Sequence, residues 1–361
     1  MKIRLIKLID RLAGSVVTAA LPAARPRPVP VPRQVLFIRP GGIGDAVLLV
    51  PALRALKAAI PGCSIDVLAE KRNAAAFKLA SGIRAVHCYD CALGIAAVLR
   101  GSYDVVIDTE QWYRLSAVIA SLTRAATLIG FATNDRARLF THPVCYAQDR
   151  YEPYSFFDLL EPLGIAVPLQ IALPFLELPP AAVAEADRLL TPLSGRPFVT
   201  VFAGASTQQK QWGLDNFREL VSLLAVRGIA VVVVGGEDSR RVSRELATVG
   251  RVLDLAGRSS LAGSAALIGK GSALVSGDSG LLHIAAGLGT PTVSLFGPSD
   301  VKKWGPQGEL HVVLAAGLPC APCSRFGTTP PCPRDGICLK EVAVAKVVQA
   351  CEALLVTKAH R

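Results

Sequence analysis

The sequence is poor in charged residues, which make up 19% of its 361 positions, and it lacks any block in which Lys and Arg alternate with aromatic residues. Such a block is typical of nucleic-acid-binding surfaces, so nucleic acid is not an expected partner. The sequence also lacks an early apolar run long enough for a cleavable signal, because Asp10 and Arg11 interrupt it. We therefore expect a cytoplasmic protein whose cysteines are reduced.

Positive charge is concentrated in residues 1–33, which hold seven Lys or Arg residues against one Asp, within a net charge of +11. Apolar residues recur there at helical spacing, at Leu5, Leu8, Ile9, Leu12 and Val16. This pattern predicts a basic amphipathic helix over residues 1–20, followed by a Pro-rich spacer. Two roles are open for the helix: it lies on an acidic membrane surface, or it packs on the protein's own surface.

Apolar runs typical of buried strands alternate with helical patterns from Val35 onward. The expected strands are residues 35–38, 65–69, 104–107, 127–131, 198–202, 229–234, 273–276 and 292–296. The expected helices are residues 46–59, 71–80, 92–100, 115–123, 216–227, 239–248, 261–269, 280–288 and 341–356. The alternation is lost between Thr133 and Pro197, a stretch rich in proline.

This alternation predicts an α/β protein with two Rossmann-like domains, each built on a parallel sheet. The expected domains are residues 34–170 and residues 171–361, the second with a Cys-rich loop over residues 319–338. Folds of this kind bind ligands at the carboxyl ends of their strands. A cleft between the two domains is therefore the expected ligand site.

A glycine turn follows the first expected strand and leads into a helix. Gly41, Gly42 and Gly44 let a ligand approach the backbone closely, and Asp45 stands at the start of the helix. The turn is not a dinucleotide-binding fingerprint, because Val47 occupies the place of its third glycine, and this argues against a dehydrogenase. The ordinary alternative for Asp45 is a structural role in capping the helix.

Two polar stretches follow strands of the second half. Ser206, Thr207 and Lys210 come after strand 198–202 and could meet a diphosphate with hydroxyls, amides and a positive charge, without a metal. Glu237 comes after strand 229–234, where a carboxylate can accept hydrogen bonds from both hydroxyls of a ribose or from an adenine amine. A solvated surface lysine and a first-turn helix glutamate are the alternatives.

The stretch Asp278-Ser279-Gly280, followed by His283, links the expected strand 273–276 to a helix. Backbone amides at a helix N-terminus suit a diphosphate, and a histidine one turn later could add a donor. The alternative is that Asp278 caps the helix and His283 is a buried residue with its hydrogen bonds satisfied.

Four cysteines crowd together in a loop bent by prolines and are spaced C-x2-C-x8-C-x5-C: Cys320, Cys323, Cys332 and Cys338. Four thiolates at such spacing can hold zinc or a rubredoxin-type iron in a tetrahedral site. Such a metal would fix the loop and take no part in the chemistry. Disulfides and free thiols are the alternatives.

Three motifs, taken in order, resemble those of the heptosyltransferase family of bacterial lipopolysaccharide synthesis: Gly42-Ile43-Gly44-Asp45, Lys210-Gln211-Trp212 and Asp278-Ser279-Gly280-x-x-His283. The resemblance extends over residues 34–356. It implies a GT-B fold, an ADP-heptose donor, inversion at the anomeric carbon and no catalytic metal. Similar cysteine loops occur in parts of this family, and related autotransporter heptosyltransferases hold a cysteine-bound iron.

The resemblance also assigns roles to individual residues. It implies that Asp45 is the general base, that Lys210 and Ser206 bind the diphosphate, and that Glu237 binds the nucleoside. The rest of the donor would meet Asp278, Ser279, Gly280 and His283. Gly42, Gly44 and Thr207 are further candidates for donor binding from their own positions in the sequence. Ala205 departs from the family pattern, where a hydroxyl residue is common, so a phosphate there would meet backbone only.

A further polar stretch follows the strand at residues 104–107. We expect Gln111 and Arg114 to bind the acceptor there, and packing of the loop by Trp112 and Tyr113 is the alternative. The expected function is transfer of heptose from ADP-heptose to a lipopolysaccharide inner-core acceptor. The expected location is the cytoplasmic face of the inner membrane, with peripheral contact through residues 1–20.

Two other functions fit the same residues. One is transfer of heptose or another sugar onto a protein, which the cysteine loop keeps open. The other is a non-catalytic module that binds a nucleotide sugar, although the presence of both Asp45 and Lys210 argues against it.

Overall fold

The computed structural model describes residues 3–29, 31–205 and 207–359. The chain forms two compact units, Met1–Ala172 and Leu173–Arg361, and most contacts between residues lie within one unit or the other. In the described part of the chain, each unit is built on a six-stranded sheet in which every pairing of neighbouring strands is parallel. The α/β class predicted from the alternating pattern is confirmed.

The sheet of the first unit has the order β3-β2-β1-β4-β5-β6. Its strands are β1 (Gln34–Arg39), β2 (Ser64–Ala69), β3 (Ile83–Cys88), β4 (Val105–Asp108), β5 (Thr127–Phe131) and β6 (His142–Val144). Its helices are α1 (Ile3–Ala20), α2 (Ile43–Ala59), α3 (Ala92–Arg100), α4 (Leu115–Leu122) and α5 (Glu152–Asp158). Short 3-10 helices span Ala74–Leu79, Asp135–Leu139 and Glu161–Leu163.

The sheet of the second unit has the order β12-β11-β10-β7-β8-β9. Its strands are β7 (Phe198–Phe202), β8 (Ala230–Val233), β9 (Val252–Asp254), β10 (Ala273–Gly277), β11 (Thr292–Phe296) and β12 (His311–Ala315). Its helices are α6 (Pro180–Leu190), α7 (Leu214–Val226), α8 (Arg240–Leu246), α9 (Leu261–Lys270), α10 (Gly280–Gly287), α11 (Val301–Trp304), α12 (Ile337–Lys340) and α13 (Val344–Ala359). Short 3-10 helices span Thr191–Leu193, Gln208–Lys210 and Glu237–Ser239.

The central strands are continuous apolar runs because helices cover both faces of each parallel sheet. Val35 to Ile38 in β1 are fully buried, and Val35 pairs with Ile65 on one side and Val105 on the other. In each sheet the strand order reverses direction beside the unit's first strand, between β1 and β4 and between β7 and β10. Ligands of open α/β sheets bind at such a switch point.

The predicted basic helix forms α1 and packs on the first unit. The Oδ1 atom of Asp10 accepts hydrogen bonds from the backbone N of Arg114 at 2.7 Å and of Leu115 at 2.6 Å, so it caps the N-terminus of α4. Burial raises the pKa of the Asp10 carboxyl, although these hydrogen bonds oppose the rise. Arg138 donates to the carbonyl oxygen of Thr18. Any membrane contact of α1 would therefore have to use its opposite face.

Two predictions of secondary structure need correction. Residues 71–80 do not form an α-helix. Within this range only Ala74–Leu79 is helical, and it is a 3-10 helix. Strands β3, β6, β9 and β12 were not predicted, and all four lie at the edges of the two sheets. Among the described helices, none is both long and apolar enough to cross a membrane.

Candidate active site

Three adjacent strands of the second unit deliver polar residues to one place. Lys210 follows β7, Asp278 follows β10 and Ser299 follows β11. The Nζ of Lys210 donates to the Oδ2 of Asp278 at 2.6 Å, and the hydroxyl of Ser299 donates to the same oxygen at 2.5 Å. This group stands at the switch point between β7 and β10. The charged side chains therefore lie where open α/β sheets bind their ligands.

His283 joins this group from the first turn and a half of α10. Its Nε2 lies 3.5 Å from the Oδ1 of Asp278. Burial opposes ionisation of Asp278, but the charge of Lys210 and the hydrogen bond from His283 outweigh it and hold the pKa of that carboxyl well below its usual value. The Nδ1 of His283 is buried and has no hydrogen-bond partner among the described residues.

The N-terminus of α10 opens beside these residues. Ser279 is its N-cap, and the Ser279 hydroxyl accepts from the backbone N of Leu282 at 3.2 Å and lies 2.8 Å from the hydroxyl of Ser276. Gly280 is the first residue of the helix. The positive end of the helix dipole and the charge of Lys210 thus lie at the same strand ends, which is an arrangement suited to phosphate oxygens.

The remaining predicted donor residues have varied surroundings. Thr207 has a buried hydroxyl oxygen without a hydrogen-bond partner in the part of the chain that the structure describes. Glu237 is 73% exposed and pairs with Arg240 at 2.8 Å. Ser206 lies outside the described residues. The donor-binding roles of Ser206, Thr207 and Glu237 stay predictions.

In the first unit the glycine turn is built around two charged residues, Arg39 and Asp45. Asp45 lies in the first turn of α2, where its Oδ2 accepts from the backbone N of Gly42 at 2.9 Å. The Nη2 of Arg39 lies 4.0 Å from the Oδ1 of Asp45. Gly41 has φ +123°, and a Cβ there would lie 2.9 Å from the Nη2 of Arg39. Glycine is required at position 41 both for its backbone angle and for the space that Arg39 fills.

Sequence reasoning missed Arg39, which is buried and fixed on several sides. It donates from Nε to the carbonyl of Pro40 and from Nη1 to that of Thr109, both at 2.7 Å. Its Nη2 lies 3.7 Å from the Oε2 of Glu110, and its guanidinium lies 5.6 Å from the centre of the Phe156 ring. A positive charge at the end of a fully apolar strand was the available signal, since a buried arginine needs partners.

The two residues predicted to bind the acceptor already have partners. Gln111 is buried, and its side-chain amide donates to the Oε1 of Glu152 at 2.7 Å. Arg114 pairs with Asp135. Trp112, in the same loop, is 40% exposed. Acceptor binding by Gln111 and Arg114 stays a prediction, and it would require these bonds to be exchanged or shared.

The predicted metal centre in the cysteine loop is not formed. Among the described residues, no group of three or more His, Cys, Asp or Glu side chains is arranged to hold a metal ion. Cys320 and Cys323 are exposed thiols, whereas Cys338 is buried in α12 and packs against Gly297. Burial, followed by the charges of the neighbouring Cys320, Cys323 and Cys332, raises the pKa of the Cys338 thiol. The four cysteines are free thiols, and the structure does not support the predicted zinc or iron site.

Two α/β units, each built on a parallel sheet with charged residues at its switch point, have the fold of the GT-B class. The family model of glycosyltransferase family 9 (heptosyltransferase) matches residues 92–332, which is more than half of the chain. The chain therefore belongs to this family, as the three motifs indicated.

Individual relatives agree with this assignment. Lipopolysaccharide heptosyltransferase 1 of Pseudomonas aeruginosa is 28% identical over 316 residues, which cover 80% of this chain and 86% of the relative. The solved structure of a glycosyl transferase family 9 protein from Veillonella parvula has a TM-score of 0.74 at 19% identity and covers 90% of this chain and 98% of its own. E. coli ADP-heptose lps heptosyltransferase II has a TM-score of 0.72 at 20% identity and covers 90% and 99%. At these identities the two structures support the fold alone.

Proposed function

We propose that the protein transfers a heptose from ADP-heptose to the inner core of a lipopolysaccharide acceptor, with inversion at the anomeric carbon. The observation that carries the proposal is the group formed by Lys210, Asp278 and His283 at the switch point of a family 9 chain. The names of the relatives support the choice of substrates, because they specify lipopolysaccharide and, for the E. coli protein, ADP-heptose.

The second unit is proposed to hold the donor. Its diphosphate would meet Lys210, the first amides of α10 and the hydroxyl of Thr207, which has no partner among the described residues. Glu237, near the end of β8, would accept hydrogen bonds from the ribose. Because Lys210 is bonded to Asp278, the diphosphate would draw Lys210 partly away from Asp278 or share it. Positive charge beside the diphosphate stabilises ADP as it leaves, and here Lys210 and the backbone amides of α10, rather than a metal, would supply it.

The first unit is proposed to activate the acceptor. Asp45 would take the proton from the attacking hydroxyl, whose oxygen forms the new bond to the anomeric carbon while the bond from that carbon to the diphosphate oxygen breaks. The electron pair of the broken bond leaves with ADP. The hydrogen bond from Gly42 and the nearby guanidinium of Arg39 hold the Asp45 carboxylate in one orientation, which general base catalysis requires.

We infer that the reaction takes place on the cytoplasmic face of the inner membrane. The proposed acceptor is anchored there by its lipid, and the proposed donor is a water-soluble nucleotide sugar. Both are available to one protein only at that surface.

A substrate panel tests the function. Purified protein is incubated with several nucleotide sugars and with glycolipids truncated before the first and second heptose, and released nucleoside diphosphate and acceptor mass are measured. We expect ADP release only with ADP-heptose and a mass gain of one heptose on one truncated glycolipid. Transfer to a protein acceptor, or donor binding without transfer and without slow donor hydrolysis, would contradict the proposal.

A further inference from the structure

Helix α1 packs on the first unit through its small and polar residues. Asp10, Gly14 and Thr18 are buried and stand four residues apart, so they share one face. Leu12 and Val16 lie on the opposite side and are 74% and 70% exposed. A surface helix of a soluble domain normally shows the reverse pattern, with its apolar stripe against the core. The outward face of α1 is therefore apolar in a way that the fold of the unit does not explain.

Polar contacts fix this orientation of α1. Asp10 caps α4 through the backbone N of Arg114 and Leu115. A Cβ at Gly14 would lie 3.0 Å from the Cδ of Arg114, so the close approach depends on glycine. The carbonyl of Thr18 accepts from Arg138 at the other end of the contact. Rotating α1 to bury Leu12 would break these contacts and would leave the Asp10 carboxylate without its partners.

The segment that contains α1 and the residues after it is cationic. In the sequence, positions 5, 8 and 9 stand at helical spacing from Leu12 and are also Leu or Ile. Arg25, Arg27 and Arg33 are exposed in the segment that follows α1. Asp10 is the sole acidic residue of residues 1–33, and its side chain is turned inward. No carboxylate on this segment opposes the positive charge.

We propose that the outward face of α1 binds an anionic phospholipid surface, with the helix in the plane of the membrane. Leu12 and Val16 would enter the boundary between headgroups and acyl chains, and the arginines of residues 25–33 would meet lipid phosphates. The charge favours lipid over a second copy of the chain, since pairing two copies would bring two cationic segments together. Such binding would bring the protein to its lipid-anchored acceptor, and in this respect the inference rests on the proposed function.

Vesicle binding of the full-length protein tests the proposal. The vesicles contain phosphatidylcholine with or without about a third of phosphatidylglycerol. The double variant Leu12→Ser/Val16→Ser should partition onto the anionic vesicles about tenfold less than the wild type. The matched control is Leu93→Ser/Val226→Ser, which replaces two side chains that are 80% and 84% exposed elsewhere. The control should bind like the wild type, and added salt should weaken binding of both.

Three results would overturn the proposal. They are equal binding by the two double variants, equal binding to vesicles with and without phosphatidylglycerol, and a wild-type dimer in light scattering that Leu12→Ser/Val16→Ser abolishes. Transfer to a delipidated, water-soluble acceptor separates this inference from the proposed function. Both double variants should retain wild-type turnover on it. Absence of turnover in all three proteins, with the difference in vesicle binding intact, would contradict the function and leave the membrane contact in place.

Discussion

The Nζ of Lys210 lies 2.6 Å from the Oδ2 of Asp278, so the cation proposed to bind the donor diphosphate is paired with a carboxylate in the free protein. The two residues are 68 positions apart in the chain and meet because β7 and β10 are neighbours in the sheet. The pair keeps a partly buried lysine in place before the donor arrives, which lowers the ordering cost of binding.

Removing the positive charge of Lys210 should weaken nucleotide binding. We expect Lys210→Ala to raise the Kd for ADP at least about tenfold, because a charge-assisted hydrogen bond to phosphate contributes about 1.5–3 kcal/mol. Isothermal titration calorimetry measures the change. The control is Lys340→Ala, which removes an exposed lysine paired with Asp335 in the same unit. An unchanged Kd in Lys210→Ala would exclude Lys210 from the diphosphate site.

The lowered pKa of Asp278 predicts a dependence of stability on pH. A carboxyl whose pKa is lower in the folded than in the unfolded state stabilises the fold above its unfolded pKa of about 3.9 and loses that contribution as pH falls toward the folded pKa. Asp278→Asn should therefore lower the Tm at pH 7. The difference in Tm from the wild type should shrink as the pH falls below about 4.

The exposed pair of Asp335 and Lys340 provides the comparison. Asp335 is 68% exposed, so Asp335→Asn should change the Tm little at any pH, as is usual for surface ion pairs. Thermal melts of the wild type, Asp278→Asn and Asp335→Asn at several pH values between neutral and acid test this prediction. A Tm difference between Asp278→Asn and wild type that stays constant with pH would show that the carboxylate charge does not stabilise the fold.

Eight of the twelve strands that the structure describes could be predicted from the sequence, and the four that were missed share one physical cause. The eight central strands are buried on both faces and read as apolar runs, for example Val231–Val233 in β8. Strands β3, β6, β9 and β12 lie at sheet edges, where solvent permits polar residues. Thus β3 alternates partly buried and exposed positions, and β6 contains Pro143, which is tolerated at an edge. Apolar periodicity cannot mark such strands.

The candidate site was predictable where residues adjoin in sequence and less so where the sheet brings them together. The stretch from Asp278 to His283 could be identified locally, because a strand, a cap and a helix follow one another. Ser299 could not, because its contact with Asp278 depends on β10 and β11 being neighbours. Arg39 offered only the signal of a charge at the end of an apolar strand, and its bond to Thr109 depends on β1 and β4 being neighbours. The cysteine spacing marks a cluster of thiols, but spacing alone does not determine that Cys338 is buried while Cys320 is exposed.

The conformation of Gly41 predicts a local effect on the turn that holds Asp45. Gly41→Ala would combine a strained φ of +123° with a Cβ 2.9 Å from the Nη2 of Arg39. We expect a lower Tm and a fall in turnover of about tenfold or more as Arg39 and Asp45 shift. Gly213→Ala is the control, because Gly213 has φ +105° and a Cβ added there would meet no atom within 4 Å. If both variants lose turnover equally, backbone strain alone explains the effect and the contact with Arg39 is irrelevant.

The proposed base gives the most direct test of the mechanism. Asp45→Asn retains an oxygen to accept from the backbone N of Gly42, so the start of α2 should be preserved while the base is removed. We expect turnover at saturating substrates to fall by roughly 10²- to 10⁴-fold, the usual contribution of a general base, with the Kd for ADP unchanged. The control is Asp215→Asn, which alters the first-turn carboxylate of α7 and should retain activity. Wild-type turnover in Asp45→Asn would remove Asp45 from the chemical step. A matching loss of ADP affinity would mean that Asp45 acts in donor binding instead.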